Sequence, residues 1–224
     1  MIVFSFIIVL CSLNLKYFMK KIILTALVAV CGVFAMSAQA TTYGAKVAYN
    51  SATVSDTDDA EEDVSSKPLS GFSIGAYAEI SLSDAFSIQP EVLYSTKGVK
   101  GESSEAGQSL EVTMKLSYID IPVMAKYYVT KGFSLEVGPQ VSFLLAADGE
   151  STISEGDDSV TVSVDIKDSF ESVDFGLNMG AGYKLDSGLN FGLRYGLGLA
   201  TIVKESGDDS PKNNVFSLSA GYSF

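Results

Sequence analysis

Apolar residues alternate with small or polar ones along this chain, most cleanly in its last third. Across residues 189–199, Leu189, Phe191, Leu193, Tyr195, Leu197 and Leu199 hold the odd positions. Asn190, Gly192, Arg194, Gly196 and Gly198 hold the even ones. A period of two predicts an extended strand with one apolar face, and this one is long enough to cross a bilayer at a tilt. The chain ends on the same pattern: Phe216, Leu218, Ala220, Tyr222 and Phe224 alternate with Ser217, Ser219, Gly221 and Ser223.

The periodicity places eight strands near 42–49, 70–80, 86–97, 112–129, 133–145, 171–185, 189–203 and 214–224. Tight connections at 81–85, 130–132 and 186–188 alternate with longer, acidic ones at 50–69, 98–111, 146–170 and 204–213. The expected fold is all-β: an eight-stranded antiparallel transmembrane β-barrel with short periplasmic turns and longer acidic external loops. A soluble lipocalin-like barrel is the competing architecture, and it requires the opposite polarity, apolar inside and polar outside.

Faces follow from parity. Phe72, Ile74, Ala76 and Ile80 are expected on the lipid side, as are Phe133, Leu135, Val137, Val141 and Phe143, and Val173, Phe175, Leu177 and Met179. The fourth strand is out of phase. Leu116 and Tyr118 share one parity while Ile119, Ile121, Val123, Ala125 and Tyr127 share the other. A bulge near Tyr118 is expected to restore the phase. Phe86, Tyr127, Tyr128, Phe133, Tyr183, Phe191, Tyr222 and Phe224 flank the short turns or the terminus, as an interfacial aromatic girdle would.

The N-terminus carries an address. Met19, Lys20 and Lys21 precede an apolar stretch, 22–36, and a small-residue site ending in Ala38, Gln39 and Ala40. Residues 19–40 read as a secretory signal peptide, with the mature barrel domain at 41–224. Residues 1–18 read as an extension upstream of the true start at Met19; a membrane anchor in tandem is the alternative. Cys11 and Cys31 both fall in the leader. Val30 is too large for the position before a lipidated cysteine, which argues against a lipoprotein.

Composition changes the picture at two points. Loss of Lys16, Lys20 and Lys21 moves the formal net charge from −12 to −15, which excludes nucleic acid as a partner. The chain contains 0 histidines, so Ser-His hydrolysis and His-based metal sites are excluded. No catalytic, cofactor or metal residues are expected. The interior-facing charges are instead expected to form a polar lumen network: Lys46, Glu79, Glu91, Asp120, Lys126, Glu136, Asp174 and Arg194, with Lys184 beside them. Eight strands leave an interior that side chains can fill, and inward charges must pair there. The acidic run 56–63, with Gly156, Asp157 and Asp158 and the stretch 207–211, reads as a solvated negative rim. It lacks the spacing of an EF-hand loop.

Three stretches carry a family resemblance. Residues 88–98 read Ile-Gln-Pro-Glu-Val-Leu-Tyr-Ser-Thr-Lys-Gly and residues 116–127 read Leu-Ser-Tyr-Ile-Asp-Ile-Pro-Val-Met-Ala-Lys-Tyr, each with a proline in mid-strand. Residues 180–183, Gly-Ala-Gly-Tyr, are echoed in the terminal Gly-Tyr-Ser-Phe. Together they resemble the small outer-membrane β-barrel family of Bacteroidetes, the porin-family or PorT-like proteins. The resemblance implies an outer-membrane barrel and no particular activity. The expected role is structural or surface-interacting and non-enzymatic, in a monomer; an accessory of protein export is the alternative. Expected partners are outer-membrane lipids and lipopolysaccharide, an unknown surface partner for the acidic loops, and the barrel assembly machinery, whose signal would be Tyr222 and Phe224.

Overall fold

The computed structural model describes residues 41–54, 65–105, 108–155, 158–204 and 211–224. The leader readings on 1–40, the acidic run 56–63, Gly156 and Asp157, and all but Pro211 of the stretch 207–211 lie outside the described residues. Among the described residues there are nine strands: β1 (Thr41–Val54), β2 (Ser65–Ser81), β3 (Phe86–Glu105), β4 (Gln108–Tyr128), β5 (Phe133–Glu155), β6 (Asp158–Asp165), β7 (Val173–Lys184), β8 (Leu189–Gly198) and β9 (Asn213–Ser223). A 3-10 turn, Lys167–Ser169, follows β6.

Eight of the strands close into an antiparallel ring in the order β1-β2-β3-β4-β5-β7-β8-β9, and β6 pairs with β5 outside it. Closure joins β1 to β9, from Gly44 opposite Ser223 to Val54 opposite Asn213. A closed ring leaves no sheet edge for lipid to meet, the condition for a sheet to span a membrane. The tight turns hold the other strands in register. At one of them Gly188 takes a φ of 91°, a left-handed conformation that glycine adopts without strain, and its amide donates to Leu185 O at 3.0 Å.

The alternation sorts the two faces. Tyr43, Val47, Tyr49, Phe72, Ile74, Leu135, Val137, Leu193 and Leu218 are large, apolar and exposed on the outside. Glu79, Glu91, Asp120, Lys126 and Asp174 are buried inside. This polarity rules out the lipocalin-like carrier. Ile80 keeps the outward parity expected of it but is buried, beside Thr41 and Ile88 on the flanking strands.

The fourth strand needs a correction. A bulge does lie at Ser117/Tyr118, but on the partner strand. Tyr118 faces Leu144 and Ser117 faces Ala146, so Leu145 is the extra residue. β4 itself stays in register with β3 through this region. Leu116 and Tyr118 therefore both point inward and are fully buried, where they form an apolar cluster with Leu144, Ala147, Phe170 and Ile202. The cluster sits at the end of the barrel opposite the short turns and roofs the polar lumen.

Two connections expected as loops, 98–111 and 146–170, are largely strand. β3, β4 and β5 continue well past the closed ring, and β6 adds to β5 through eight residue pairs from Asp148 opposite Asp165 to Glu155 opposite Asp158. β7 begins only at Val173, opposite Phe143. One side of the barrel thus rises into a wall that the other side lacks.

Candidate functional site

The lumen is built in layers. At its centre Glu91, whose side chain is 0% exposed, accepts from four donors. Lys46 Nζ lies 2.8 Å from Oε1, Gln89 Nε2 2.7 Å from the same atom, and Arg194 grips both oxygens at 3.0 and 3.1 Å. Such a bidentate guanidinium–carboxylate pair is among the strongest charge-assisted contacts. Arg194 also donates to Glu136 at 3.1 Å. Glu136 has room here because Gly182, diagonal to it on β7 and opposite Ser134, has no side chain: a Cβ there would sit 2.7 Å from Glu136 Oε1.

Toward the short turns Lys126 lies 3.5 Å from Glu136 and 3.6 Å from Glu79, and donates to Gln89 at 3.1 Å. Glu79 also accepts from Tyr128 and Ser87, with Lys184 at 3.5 Å. Toward the apolar roof Lys97 donates to Asp120 at 2.9 Å and to Ser142 at 3.3 Å, with its ammonium 4.6 Å from the Tyr118 ring centroid. Asn213 donates to Asp174 at 3.0 Å.

Parity placed eight charges in the lumen, and all eight face it in the structure. Lys46, Glu91, Arg194, Glu136, Lys126 and Glu79 meet in one connected network; Asp120 and Asp174 lie apart from it, nearer the roof. Sequence reasoning missed Lys97, which was read as the last residue before a loop. Its signal was present, since Glu91, Leu93, Ser95 and Lys97 share one parity. With Lys97 and Lys184 included, Lys46, Lys97, Lys126, Lys184 and Arg194 stand against Glu79, Glu91, Asp120, Glu136 and Asp174, and the lumen charges balance. Between the described residues the lumen holds cavities of about 60 and 30 Å³. Lys46 and Arg194 line both, so the Glu91 layer is the partition between them.

The second candidate surface is the wall. Its outer face carries paired charges: Lys100 lies 2.7 Å from Glu111 and 3.1 Å from Glu102, which also pairs with Lys67. Hydrogen bonds from Lys67 and Lys100 hold the Glu102 carboxyl below its usual range, and those to Glu111 and Glu102 raise Lys100. The inner face is apolar. Tyr222 and Phe224 lie at the opposite end, exposed, with rings 5.6 Å apart and the Phe224 amide on Tyr43 O at 2.8 Å.

A ring of eight strands with apolar residues outside and balanced charges inside agrees with what comparison finds. The model of the outer membrane protein beta-barrel domain matches residues 37–204. The chain belongs to that family. Its place is the outer membrane, and in barrels of this kind the short turns face the periplasm and the longer connections the outside. The wall and the apolar roof are accordingly external. No curated protein matches the chain.

Solved structures similar to it include Ail, the attachment invasion locus protein of Yersinia pestis, at 14% identity over 82% of this chain and 98% of that one, with a TM-score of 0.46. Neisserial surface protein A is similar at 12% identity over 83% and 99%, with a TM-score of 0.49. The outer membrane protein OprG from Pseudomonas aeruginosa is similar at 13% identity over 83% and 97%, with a TM-score of 0.36.

Proposed function

We propose that this protein is a non-conducting, non-enzymatic outer-membrane barrel of the Bacteroidetes type, a monomer that acts through its external surface. The observation that carries this reading is the Glu91 layer. Lys46, Arg194 and Glu136 close around that carboxylate across the full interior, and the apolar roof of Leu116, Tyr118 and Phe170 closes the outer end. The chain builds its wall on the outside, where lipopolysaccharide and surface partners are met. In planar-bilayer recordings the purified protein is expected to show no stable open channel. Large, long-lived conductance steps would overturn the reading, because a solvated pore needs the Arg194–Glu91 pair to be parted.

The same reading assigns Tyr222 and Phe224 to assembly. Phe224 sits on the lipid face of the closing strand, where the assembly machinery would meet it. Deleting Phe224 is expected to slow insertion in cells several-fold more than refolding of the purified chain into detergent micelles. Equal slowing in both assays would leave Phe224 as a girdle residue alone.

A further inference from the structure

The wall ends in two free sheet edges, and they differ in chemistry. On one side β2 pairs with β1 only as far as Leu69 opposite Ala52, so Ser65–Pro68 has no neighbour beyond β3 among the described residues. That edge carries Lys67 and Pro68, a charge and a residue without an amide proton, both of which discourage a further strand. On the other side β6 pairs with β5 alone among the described residues. Between Asp158 and Asp165 it reads Ser-Val-Thr-Val-Ser-Val, with no proline, no charge and no bulge. One edge is blocked and the other is open.

The open edge also borders an uncovered apolar face. The registers place Leu110, Ile153 and Val160 in one row, Val112 and Val162 in a second, and Val164 opposite Gly149 in a third. These six side chains are 41–67% exposed. Lipid does not account for them. Phe133–Phe143 already supplies the roughly 9–11 residues that cross a bilayer, and Ile153 lies further along β5 by almost as much again. By parity the rows lie on the lumen side, continuous with Leu116 and Ala147 of the roof, and not on the lipid side. Their surface is on the order of several hundred Å², the size at which a patch marks an interaction site.

The occupant is indicated by charge. On the outer face of the same strands, alternating with the apolar rows, stand the acids Asp148, Glu150 and Asp165, with Lys115 opposite Asp148, on a chain whose residues 41–224 are strongly acidic. A second copy would bring the same charges to the same place. The segments 55–64 and 205–210 are themselves acidic in sequence. We infer that the free edge of β6 is a docking site for an extended, cationic polypeptide strand of a partner protein, which adds to the sheet through its backbone and sets alternate apolar side chains against Val160, Val162 and Val164. Lys or Arg at the alternate positions of the same strand would lie on the outer face, the side of Asp165 and Glu150. This rests on the surface-acting reading above and names the partner's chemistry.

The test uses the mature chain in nanodiscs of zwitterionic lipid, with empty nanodiscs as baseline. The probe is a capped peptide of alternating valine and lysine. It is expected to bind saturably, and to slow amide hydrogen exchange at 159–164. The same peptide N-methylated at alternate residues, or with glutamate for lysine, is expected to bind at least tenfold more weakly. Val162→Lys, an inward charge of the kind that protects natural edges, is expected to weaken the parent peptide at least tenfold while the barrel keeps its folded gel mobility. The proposal fails if the N-methylated peptide binds as tightly as the parent, if Val162→Lys binds like wild type, or if the parent shows no binding. Bilayer recordings on the same preparation separate the two readings: a silent barrel that takes no peptide keeps its surface role and loses this site.

Discussion

Replacing Glu91 with alanine is expected to destabilise the barrel by about 3–5 kcal/mol, the cost of stranding buried charge. Glu91 is the only carboxylate within 4.0 Å of Lys46 among the described residues and one of two that hold Arg194. Without it an ammonium and half of a guanidinium remain in a closed interior with no counter-charge, and Gln89 loses its acceptor. The measurement is equilibrium urea unfolding in detergent, followed by the shift in gel mobility on folding. Lys46→Met in the same chain is expected to recover part of the loss, because one stranded charge is then gone; the departure from additivity reports the coupling. An unchanged unfolding midpoint in Glu91→Ala would mean that the layer does not hold the lumen together.

Leu193→Arg is expected to cost about 2–4 kcal/mol, and Leu189→Arg about 0–1 kcal/mol, because a charge on the lipid face is penalised by depth. Both side chains share the outward face of β8 and are about half exposed. Leu193 lies mid-strand between Ala181 and Leu218, while Leu189 lies beside the short turn, where the arginine head reaches the interface. An arginine at Gly196 is expected to act by a different route. It would enter the lumen, where even a Cβ would stand 2.8 Å from Asn178 Oδ1. Refolding into vesicles followed by denaturant titration separates these cases. Equal stability of Leu193→Arg and wild type would invert the assignment of faces.

Several features of this molecule were legible in the residue order alone. A strand's side chains alternate by local geometry, so Leu193 outward and Arg194 inward follow from adjacency once the strand is granted. The ring of eight strands follows from their count and the alternation of connection lengths. The inward position of all eight predicted lumen charges is the same parity applied repeatedly. Lys97 and Leu116 were obscured for different reasons: Lys97 stood as the last residue of its strand before an expected loop, and Leu116 was to be brought into phase with Ile119 and Ile121 by a bulge near Tyr118. Leu116 instead faces inward, and the bulge that the phase demanded was absorbed by Leu145 on the neighbouring strand.

Tertiary structure alone decided which groups meet. Glu91 and Arg194 are 103 residues apart and Arg194 and Glu136 are 58. Parity says only that each points inward; strand register and closure of the ring set their height and bring them together. The wall was likewise settled in three dimensions. Val160, Val162 and Val164 alternate in the sequence, but a short hairpin among acidic residues is marginal by itself. It is held as strand because β4 and β5 continue beneath it as a paired template. The open edge of β6 is a consequence of where β7 begins, and no local pattern encodes that.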